Sequence, residues 1–389
     1  MKIREVVLSF HAMKRRAFEK KIQEAFQVTP AVAILGPRQC GKTTLAGIFG
    51  DHTGQEVNRF DLEDPVDLAR LENPLLTLEK LSGLIVIDEI QRIPDFFPVL
   101  RVLIDRKLPQ KYLILGSASG ELVRQSSESL AGRLSYIELT PFDLSEVGVE
   151  NSEKHLIRGG FPLSYLAEND KLSYRWRESY IRTFLERDIP ALGIRVSALQ
   201  LRRFWMMLAH FHGQIVNFSD LGRSLDINDT TARSYLDILT GTLMIRELSP
   251  WFENIGKRQV KRPKIYFRDS GIFHSLLGIQ TIEELESNPK LGASWEGYAL
   301  EETIRSLDAR PEECFFWGIH AQAELDLLVL KDGKKLGFEF KYSDAPTLSP
   351  SMKKSIEMLS LDSLTVVYPG DRKYELAENV RVSPLADLA

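Results

Sequence analysis

Residues 31–44 read Ala31-Val-Ala-Ile-Leu35-Gly36-Pro-Arg-Gln-Cys40-Gly41-Lys42-Thr43-Thr44, and this stretch decides the fold of the N-terminal part of the chain. The run before Gly36 is apolar and predicts a buried strand. From Gly36 onward the residues match the pattern G-x-x-x-x-G-K-[ST], and a helix is expected from Thr44 through Ile48. A strand before this pattern and a helix after it are the context that a phosphate-binding loop requires. The stretch therefore predicts such a loop.

The residue types of the loop explain how it would bind a nucleotide. Gly36 and Gly41 let the backbone wrap closely around phosphates, with its N–H groups pointing inward. Lys42 is expected to reach the β- and γ-phosphates of ATP, and the Thr43 hydroxyl is expected to ligate Mg²⁺. Cys40 stands at a variable position, where a small residue fits. The predicted nucleotide-binding residues are Gly36, Pro37, Arg38, Gln39, Cys40, Gly41, Lys42, Thr43 and Thr44.

The composition is ordinary for a soluble protein. The chain has 389 residues, of which 43% are apolar, and a net charge of −4. This length predicts about two to four domains. No apolar run reaches the length of a membrane span, and the N-terminus lacks the apolar core of a signal peptide. Two cysteines give no disulfide framework. We therefore expect a cytoplasmic protein of prokaryotic type with no membrane partner.

A second buried strand, Leu84–Ile87, ends in the carboxylates Asp88 and Glu89. In an open parallel sheet, ligands bind at the carboxyl ends of the strands. Asp88 is expected to hold Mg²⁺, and Glu89 to activate or orient the water that attacks the γ-phosphate. Two carboxylates after a strand are a weak signal alone. They become a strong one about 45 residues after a phosphate loop, because both halves of a metal–phosphate site are then present.

Two further residues are candidates for the same site. Ser117 ends a third apolar strand, and either it or Ser119 is expected to sense the γ-phosphate. Capping of a helix at Glu121 is an equally plain explanation for these hydroxyls. Arg133 precedes a strand at 136–139 and is expected to stabilise phosphate charge, in cis or from a neighbouring subunit. A surface ion pair is the alternative for Arg133.

The segment 195–268 has the pattern of a winged helix-turn-helix. Helices are expected at 201–212, at 218–225 with Ser219 as N-cap, and at 231–243, followed by strands at 244–248 and 264–267. The segment holds 12 Lys/Arg and 6 Asp/Glu, a local excess of +6. This excess favours contact with double-stranded DNA. The alternative is a lid on the ATPase that touches no DNA. The wing tip would carry Lys257, Arg258, Lys261 and Arg262.

The last hundred residues contain a predicted hairpin with paired carboxylates. Strands that alternate in polarity flank Asp332-Gly333, which is a strong turn signal. With that turn, Asp326 faces Glu339, and like charges in direct opposition are destabilising unless they are neutralised. A divalent cation would neutralise them, and Lys341 on the same face would orient a hydroxide. The alternative is a solvated polar face with an ordinary ion pair between Glu324 and Lys341.

Two family resemblances follow from these motifs. Residues 30–145 resemble the AAA-type ATPase core, through Gly36 to Thr43, Asp88-Glu89 and the strand that ends at Ser117. The order of segments over almost the whole chain is similar to that of bacterial and archaeal AAA family ATPases with a C-terminal domain of unknown function. Further segments carry this resemblance: Ala131-Gly-Arg133, Pro141-Phe142, Tyr235–Leu239, Pro263–Gly271 and Glu339-Phe-Lys341.

The C-terminal residues resemble the PD-(D/E)XK nucleases. In that superfamily a helical acid, a strand acid and an E-x-K strand gather Mg²⁺. The resemblance assigns these places to Glu296, Asp326, Glu339 and Lys341, with the first three as metal ligands and Asp326, Glu339 and Lys341 as catalytic residues. The proline that names the motif is absent, because Leu325 precedes Asp326. Many relatives of this superfamily bind DNA without cutting it.

The sequence thus predicts an α/β multidomain protein with four parts. They are a P-loop AAA-type ATPase core at 1–145, a helical connector at 146–194, a winged helix-turn-helix at 195–285 and a restriction-endonuclease-like domain at 290–389. The expected function is Mg²⁺-dependent ATP hydrolysis coupled to action on DNA, with endonuclease activity and a homo-oligomer as further expectations. The alternative is a nucleotide-dependent switch that binds protein partners and has no nuclease activity.

Overall fold

The computed structural model describes residues 15–93, 95–118, 126, 128–252, 260–319 and 322–388. It contains two compact units. The first comprises Met1–Phe142, Arg187–Arg195 and Gly241–Leu243, and the second comprises Asp143–Glu186, Val196–Thr240 and Met244–Ala389. Four positions with predicted roles lie outside the described residues: Ser119, Glu121, Lys257 and Arg258.

The first unit is built on a five-stranded sheet with strand order β2-β3-β4-β1-β5 and only parallel pairs. The strands are β1 (Ala31–Gly36), β2 (Val57–Asp61), β3 (Gly83–Asp88), β4 (Gln110–Ser117) and β5 (Leu134–Glu138). Four of them, β1, β3, β4 and β5, correspond to strands expected from the sequence. Because the strands are parallel, their carboxyl ends meet at one edge of the sheet.

Helices flank this sheet, and alternate residues of β1 pack on opposite sides. Val32 and Ile34 belong to the cluster that includes Phe18 of α1, whereas Ala33 and Leu35 belong to the other cluster. This two-sided burial explains why the strands read as continuous apolar runs. The helices are α1 (Arg16–Val28), α2 (Lys42–His52), α3 (Pro65–Arg70), α4 (Pro74–Leu78) and α5 (Phe96–Asp105), with a single turn at Ile189–Ala191.

The second unit begins with helices and ends with a mostly stranded segment. Its helices are α6 (Leu144–Val147), α7 (Ser152–Arg158), α8 (Pro162–Tyr165), α9 (Asp170–Thr183), α10 (Ala198–His210), α11 (Phe218–Leu225), α12 (Asp229–Gly241), α13 (Ser270–Leu277), α14 (Ile282–Glu286), α15 (Leu291–Ser306) and α16 (Pro350–Leu359). A π-helical turn, Phe184–Asp188, follows α9. Within the described ranges, no helix is both long enough and apolar enough to cross a membrane.

The second unit has one nine-stranded sheet, in the order β13-β14-β12-β11-β10-β9-β7-β8-β6. The strands are β6 (Gln214–Ile215), β7 (Ile245–Pro250), β8 (Lys264–Phe267), β9 (Cys314–Ile319), β10 (Ala323–Lys331), β11 (Lys334–Phe340), β12 (Ser363–Tyr368), β13 (Tyr374–Ala377) and β14 (Val380–Pro384). The parallel pair β7–β9 joins the strands at 214–267 to the C-terminal strands. The sheet therefore runs continuously through both segments.

The hairpin β10–β11 has the predicted register. Leu327 lies opposite Phe338, and Lys331 lies opposite Lys334. Asp332 and Gly333 have φ angles of 51° and 75°, the left-handed pair that a two-residue type I′ turn requires. The turn residues therefore set which side chains share a face, as the alternating pattern indicates.

The segment expected to be a winged helix-turn-helix shows three helices, α10 to α12, with strands β6, β7 and β8. β6 was not expected from the sequence, because a strand of two residues leaves no alternating pattern. The predicted N-cap of α11 was wrong. The N-cap is Asn217, whose side chain accepts a hydrogen bond from the backbone N–H of Ser219 at 3.2 Å.

Candidate functional site

The predicted nucleotide-binding residues lie where β1, β3 and β4 end. Gly36 is in register with Ser117, and Asp88 is in register with Asp61 of β2. The phosphate loop, the two carboxylates and the Ser117 hydroxyl therefore occupy the same edge of the sheet. Ligands bind at this edge in open parallel sheets.

Backbone geometry shapes the loop. Gln39 and Gly41 have φ angles of 63° and 101°, so the chain turns twice through the left-handed region before α2 begins. A Cβ atom on Gly36 would lie 2.4 Å from the Leu139 carbonyl oxygen, so only glycine fits there. Cys40 is fully buried, and its thiol donates to the Leu139 carbonyl at 3.6 Å. Burial raises the pKa of this thiol, which is the behaviour of a packed small residue.

Lys42 is held inside the loop. Only 6% of its surface is exposed, and its Nζ donates to the carbonyls of Gly36 and Pro37 at 3.0 and 2.9 Å. These carbonyls fix the ammonium within the loop, where it is positioned to attract an anion. Lys42 is also the first residue of α2, whose N-terminus favours negative charge.

Thr43 and Asp88 form a direct hydrogen bond across the site. The Thr43 hydroxyl donates to Asp88 Oδ2 at 2.6 Å, and the backbone N–H of Glu89 donates to Asp88 Oδ1 at 2.9 Å. Burial raises the pKa of Asp88, and the hydrogen bond from Thr43 opposes that rise. The two oxygen ligands predicted for Mg²⁺ are thus adjacent.

Glu89 adopts an unusual backbone conformation. Its φ of 54° lies in the left-handed region, which is uncommon for a residue with a side chain. Its carboxylate accepts a hydrogen bond from the Gln91 amide. Burial raises the pKa of Glu89, while the nearby Lys42 lowers it. A carboxylate with a raised pKa is a better proton acceptor for a general-base step.

Arg38 connects the loop to two acidic side chains of the same unit. Its guanidinium lies 2.6 Å from Glu63 Oε1 and 2.8 Å from Asp188 Oδ1. Burial alone would lower the pKa of Arg38, but the two carboxylates raise it by more. The guanidinium therefore stays charged. Arg38 is therefore a charged member of the loop whose orientation is set by both partners.

The structure places Arg133 away from the phosphate loop of its own chain. Arg133 immediately precedes β5, whose first residue pairs with Ala31 at the start of β1. The phosphate loop follows the other end of β1, about 16 Å away at the usual rise of a strand. The Arg133 guanidinium instead forms an ion pair with Asp105 at 2.7 Å. Action from a neighbouring subunit stays a prediction.

The second unit brings the predicted C-terminal residues together. Lys341 Nζ lies 3.5 Å from Asp326 Oδ2 and 2.7 Å from Glu339 Oε2. Burial raises the pKa of Glu339 to about 8 and that of Glu296 to about 7, and in each case the charge of Asp326 adds to the rise. The helix α15 supplies Glu296, the hairpin β10–β11 supplies Asp326 and Glu339, and Lys341 directly follows β11.

A further lysine, missed in the sequence, lies among these carboxylates. Lys264 of β8 is 3% exposed, and its Nζ is 3.8 Å from Glu296 Oε1 and 3.7 Å from Asp326 Oδ1. It also forms an ion pair with Glu324. Burial alone would raise the pKa of Asp326, but the ammonium groups of Lys264 and Lys341 lower it.

The metal site predicted at Glu296, Asp326 and Glu339 does not fit this arrangement. Two ammonium groups already neutralise the facing carboxylates. In the part of the chain that the structure describes, no group of three or more Asp, Glu, His or Cys side chains is arranged to hold a metal ion. Where the sequence predicts a divalent cation between the facing carboxylates, the structure has the ammonium groups of Lys264 and Lys341 within 4 Å of Asp326.

Signals for the missed residues were present in the sequence. Lys264 and Tyr266 are two apart in an otherwise apolar strand, so they share a face, and the Tyr266 hydroxyl donates to Glu296 Oε1 at 2.6 Å. A lysine within a buried strand calls for acidic partners. Asp61 ends β2 as Asp88 ends β3, and their register makes Asp61 a neighbour of the nucleotide site.

Comparisons with known proteins found similar families and solved structures. A family model described as an AAA domain matches residues 28–148, and two described as domains of unknown function, DUF8612 and DUF4143, match 149–283 and 291–388. Among solved structures, the Walker-type ATPase PABY2304 of Pyrococcus abyssi has a TM-score of 0.49 and 15% identity. That match covers 68% of this chain and 96% of the other.

Two curated proteins are similar over nearly the whole chain. They are the uncharacterized protein Mb2031c of Mycobacterium bovis and the uncharacterized protein Rv2008c of Mycobacterium tuberculosis. Each is 48% identical over 378 residues, which is 97% of this chain and 85% of the relative. The chain therefore belongs to the family of these two mycobacterial proteins and carries an AAA-type P-loop ATPase domain at residues 28–148.

Proposed function

We propose that the first unit binds ATP together with Mg²⁺ and hydrolyses the nucleotide. The observation that carries this proposal is the hydrogen bond of 2.6 Å between Thr43 and Asp88, next to a lysine held inside the phosphate loop. Hydroxyl and carboxylate oxygens are the ligands that Mg²⁺ prefers, so this pair fits the ion. When bound, Mg²⁺ would supply charge neutralisation at the phosphates.

Each side chain of the site then has a distinct task. The loop N–H groups and Lys42 bind the phosphates, and Thr43 and Asp88 hold the metal ion. Glu89 orients the attacking water and accepts its proton, which its raised pKa favours. Ser117, at the same edge, is the proposed sensor of the γ-phosphate.

The first prediction concerns Glu89. Its replacement by glutamine is expected to keep ATP binding and to lower kcat by roughly 10²- to 10⁴-fold, because the general base is lost. Nucleotide binding is measured with a fluorescent ATP analogue, and turnover by phosphate release. The exposed Glu79→Gln serves as the control, since Glu79 pairs with Arg106 at the protein surface. Undiminished turnover in Glu89→Gln would remove Glu89 from the mechanism.

We propose that residues 195–285 form a winged helix-turn-helix, between a helical connector at 146–194 and a C-terminal domain at 290–389. The order of α10, β6, α11, α12, β7 and β8 supports this proposal. The family models at 149–283 and 291–388 meet near the proposed boundary between residues 285 and 290. The ATPase core at 1–145 completes the proposed division.

The charge of this segment favours a protein partner over duplex DNA. Three of its basic residues, Arg246, Lys264 and Arg268, are buried beside carboxylates and add nothing to the surface charge. On α12, the helix that would enter the major groove, Arg233 is already paired with Asp237 and Glu247. We therefore propose a nucleotide-dependent switch that binds a protein partner. DNA contact is the second candidate, supported by the exposed Arg203, Lys261 and Arg262.

The second prediction separates these candidates by electrophoretic mobility on duplex DNA. We expect no shift at low salt, with or without ATP, because the outer face of α12 carries Asp229 and Asp237. A shift that weakens in Arg203→Glu and Lys261→Glu, and that falls steeply with added salt, would establish the DNA function instead. A homo-oligomer and a cytoplasmic location stay predictions from the sequence.

A further inference from the structure

Lys264 is fixed in position by the sheet that carries it. Its backbone lies in β8, in register with Leu248 of β7 on one side and with Ile215 of β6 on the other. Strand pairing on both sides fixes the backbone of Lys264, and only 3% of the residue is exposed. The ammonium is therefore held among the carboxylates by a fixed backbone and by burial of its stem.

The lysines engage the oxygens that a metal ion would need. Asp326 Oδ1 faces Lys264, while Asp326 Oδ2 faces Lys341 and also accepts the backbone N–H of Phe340 at 3.1 Å. Glu296 Oε1 accepts the Tyr266 hydroxyl and lies near the same ammonium. A divalent cation bound by Asp326 and Glu296 would have to share these oxygens with a buried positive charge.

We infer that Lys264 takes the place of a divalent cation in the second unit and excludes metal from the cluster formed by Glu296, Asp326 and Glu339. The ammonium is in direct contact with Glu324 and lies 3.7 Å from Asp326 Oδ1 and 3.8 Å from Glu296 Oε1, so its charge acts on all three carboxylates. The second unit is consequently a metal-independent fold that does not cleave phosphodiesters. This inference does not depend on ATP hydrolysis by the first unit.

The test is Mn²⁺ binding by the full-length chain without nucleotide, followed by electron paramagnetic resonance. Wild type and Asp326→Asn are expected to bind the same amount of Mn²⁺, because the cluster holds no metal ion in either protein. Lys264→Met removes the ammonium and keeps an apolar stem, so it is expected to gain about one bound Mn²⁺ per chain. Lys264→Met combined with Asp326→Asn is expected to lose that ion, which assigns it to this cluster. Lys261→Met, at an exposed lysine before the same strand, is the matched control.

Several results would overturn the inference. One is a wild-type Mn²⁺ site that disappears in Asp326→Asn, and another is wild-type nicking of supercoiled plasmid with Mn²⁺ that requires Asp326. A folded Lys264→Met variant without added Mn²⁺ binding would show that lysine is not what excludes the metal. If a thermal melt shows that Lys264→Met is not folded, Mn²⁺ binding by wild type and by Asp326→Asn tests the inference. Bound Mn²⁺ that is present in wild type and lost in Asp326→Asn would then overturn it.

Discussion

Replacing Lys42 by alanine is expected to abolish measurable ATP turnover, with a loss of at least roughly 10²- to 10³-fold in kcat. The ammonium is held by the carbonyls of Gly36 and Pro37, at 3.0 and 2.9 Å, inside the loop that would surround the phosphates. Removing it takes away a preorganised positive charge at the place where phosphate charge develops. Phosphate release under saturating ATP and Mg²⁺ measures the effect.

The Lys42 variant needs a control for folding, because its side chain is buried. Lys80→Ala, at an exposed position of the same unit, is expected to turn over ATP as the wild type does. Circular dichroism should show that Lys42→Ala melts as a folded protein. Turnover within twofold of wild type in a folded Lys42→Ala variant would mean that this loop does not serve a nucleotide.

Replacing Glu301 by glutamine is expected to destabilise the second unit by about 3–5 kcal/mol, because it leaves buried arginines without their counter-charge. Glu301 is 2% exposed, and its Oε2 accepts from Arg246 Nη2 at 2.9 Å. Arg268 and Arg305 lie 3.7 and 4.0 Å from the same oxygen. Three guanidinium groups thus converge on one carboxylate.

Unfolding can be assigned to this unit by tryptophan fluorescence. The chain has five tryptophans, and all of them belong to the second unit. The adjacent Glu302→Gln is the matched control. Burial raises the pKa of Glu302 to about 7, so its loss of charge should cost less than that of Glu301. Equal destabilisation by the two substitutions would contradict the role given to Glu301.

The Glu301 prediction also has a pH dependence with a definite sign. Burial alone would raise the pKa of Glu301, but the arginines, Arg246 first, lower it to about 2. A depressed folded-state pKa stabilises the protein above the unfolded value near 4.5, and this contribution is lost as pH falls towards 2. The stability difference between wild type and Glu301→Gln should therefore narrow below about pH 4.5. A difference that stays constant down to pH 3 would contradict it.

Local patterns predicted much of the fold. The phosphate loop follows from residue spacing, because the loop, its strand and its helix are contiguous in the chain. The hairpin register also follows locally, since an Asp-Gly turn with alternating strands leaves one pairing. The position of Arg133 also follows from the sequence. A residue that precedes a parallel strand lies at the edge opposite to residues that follow one.

The carboxylate cluster shows where local reasoning stops. The hairpin predicted that Asp326 and Glu339 would be neighbours, and family resemblance added Glu296 and Lys341. A lysine in an apolar strand could mark Lys264 as a residue that needs acidic partners, but no local pattern indicated which ones, because β8 reaches this cluster only through sheet pairing between segments far apart in sequence. The basic excess counted in 195–268 is larger than the charge at its surface, since burial removes three of those basic residues from the surface.

By itself, the sequence determined where the predicted nucleotide site lies: Gly36 to Thr44, Asp88 and Glu89 are at strand ends whose direction follows from a parallel sheet. Only the tertiary structure decided which positive charges surround the carboxylates of the second unit. Its parallel pairing of β7 with β9 places the strand that carries Lys264 in the same sheet as the acidic hairpin. Whether facing carboxylates require a metal depends on the cations around them, and long-range pairing adds the ammonium of Lys264 to that of Lys341 at this cluster.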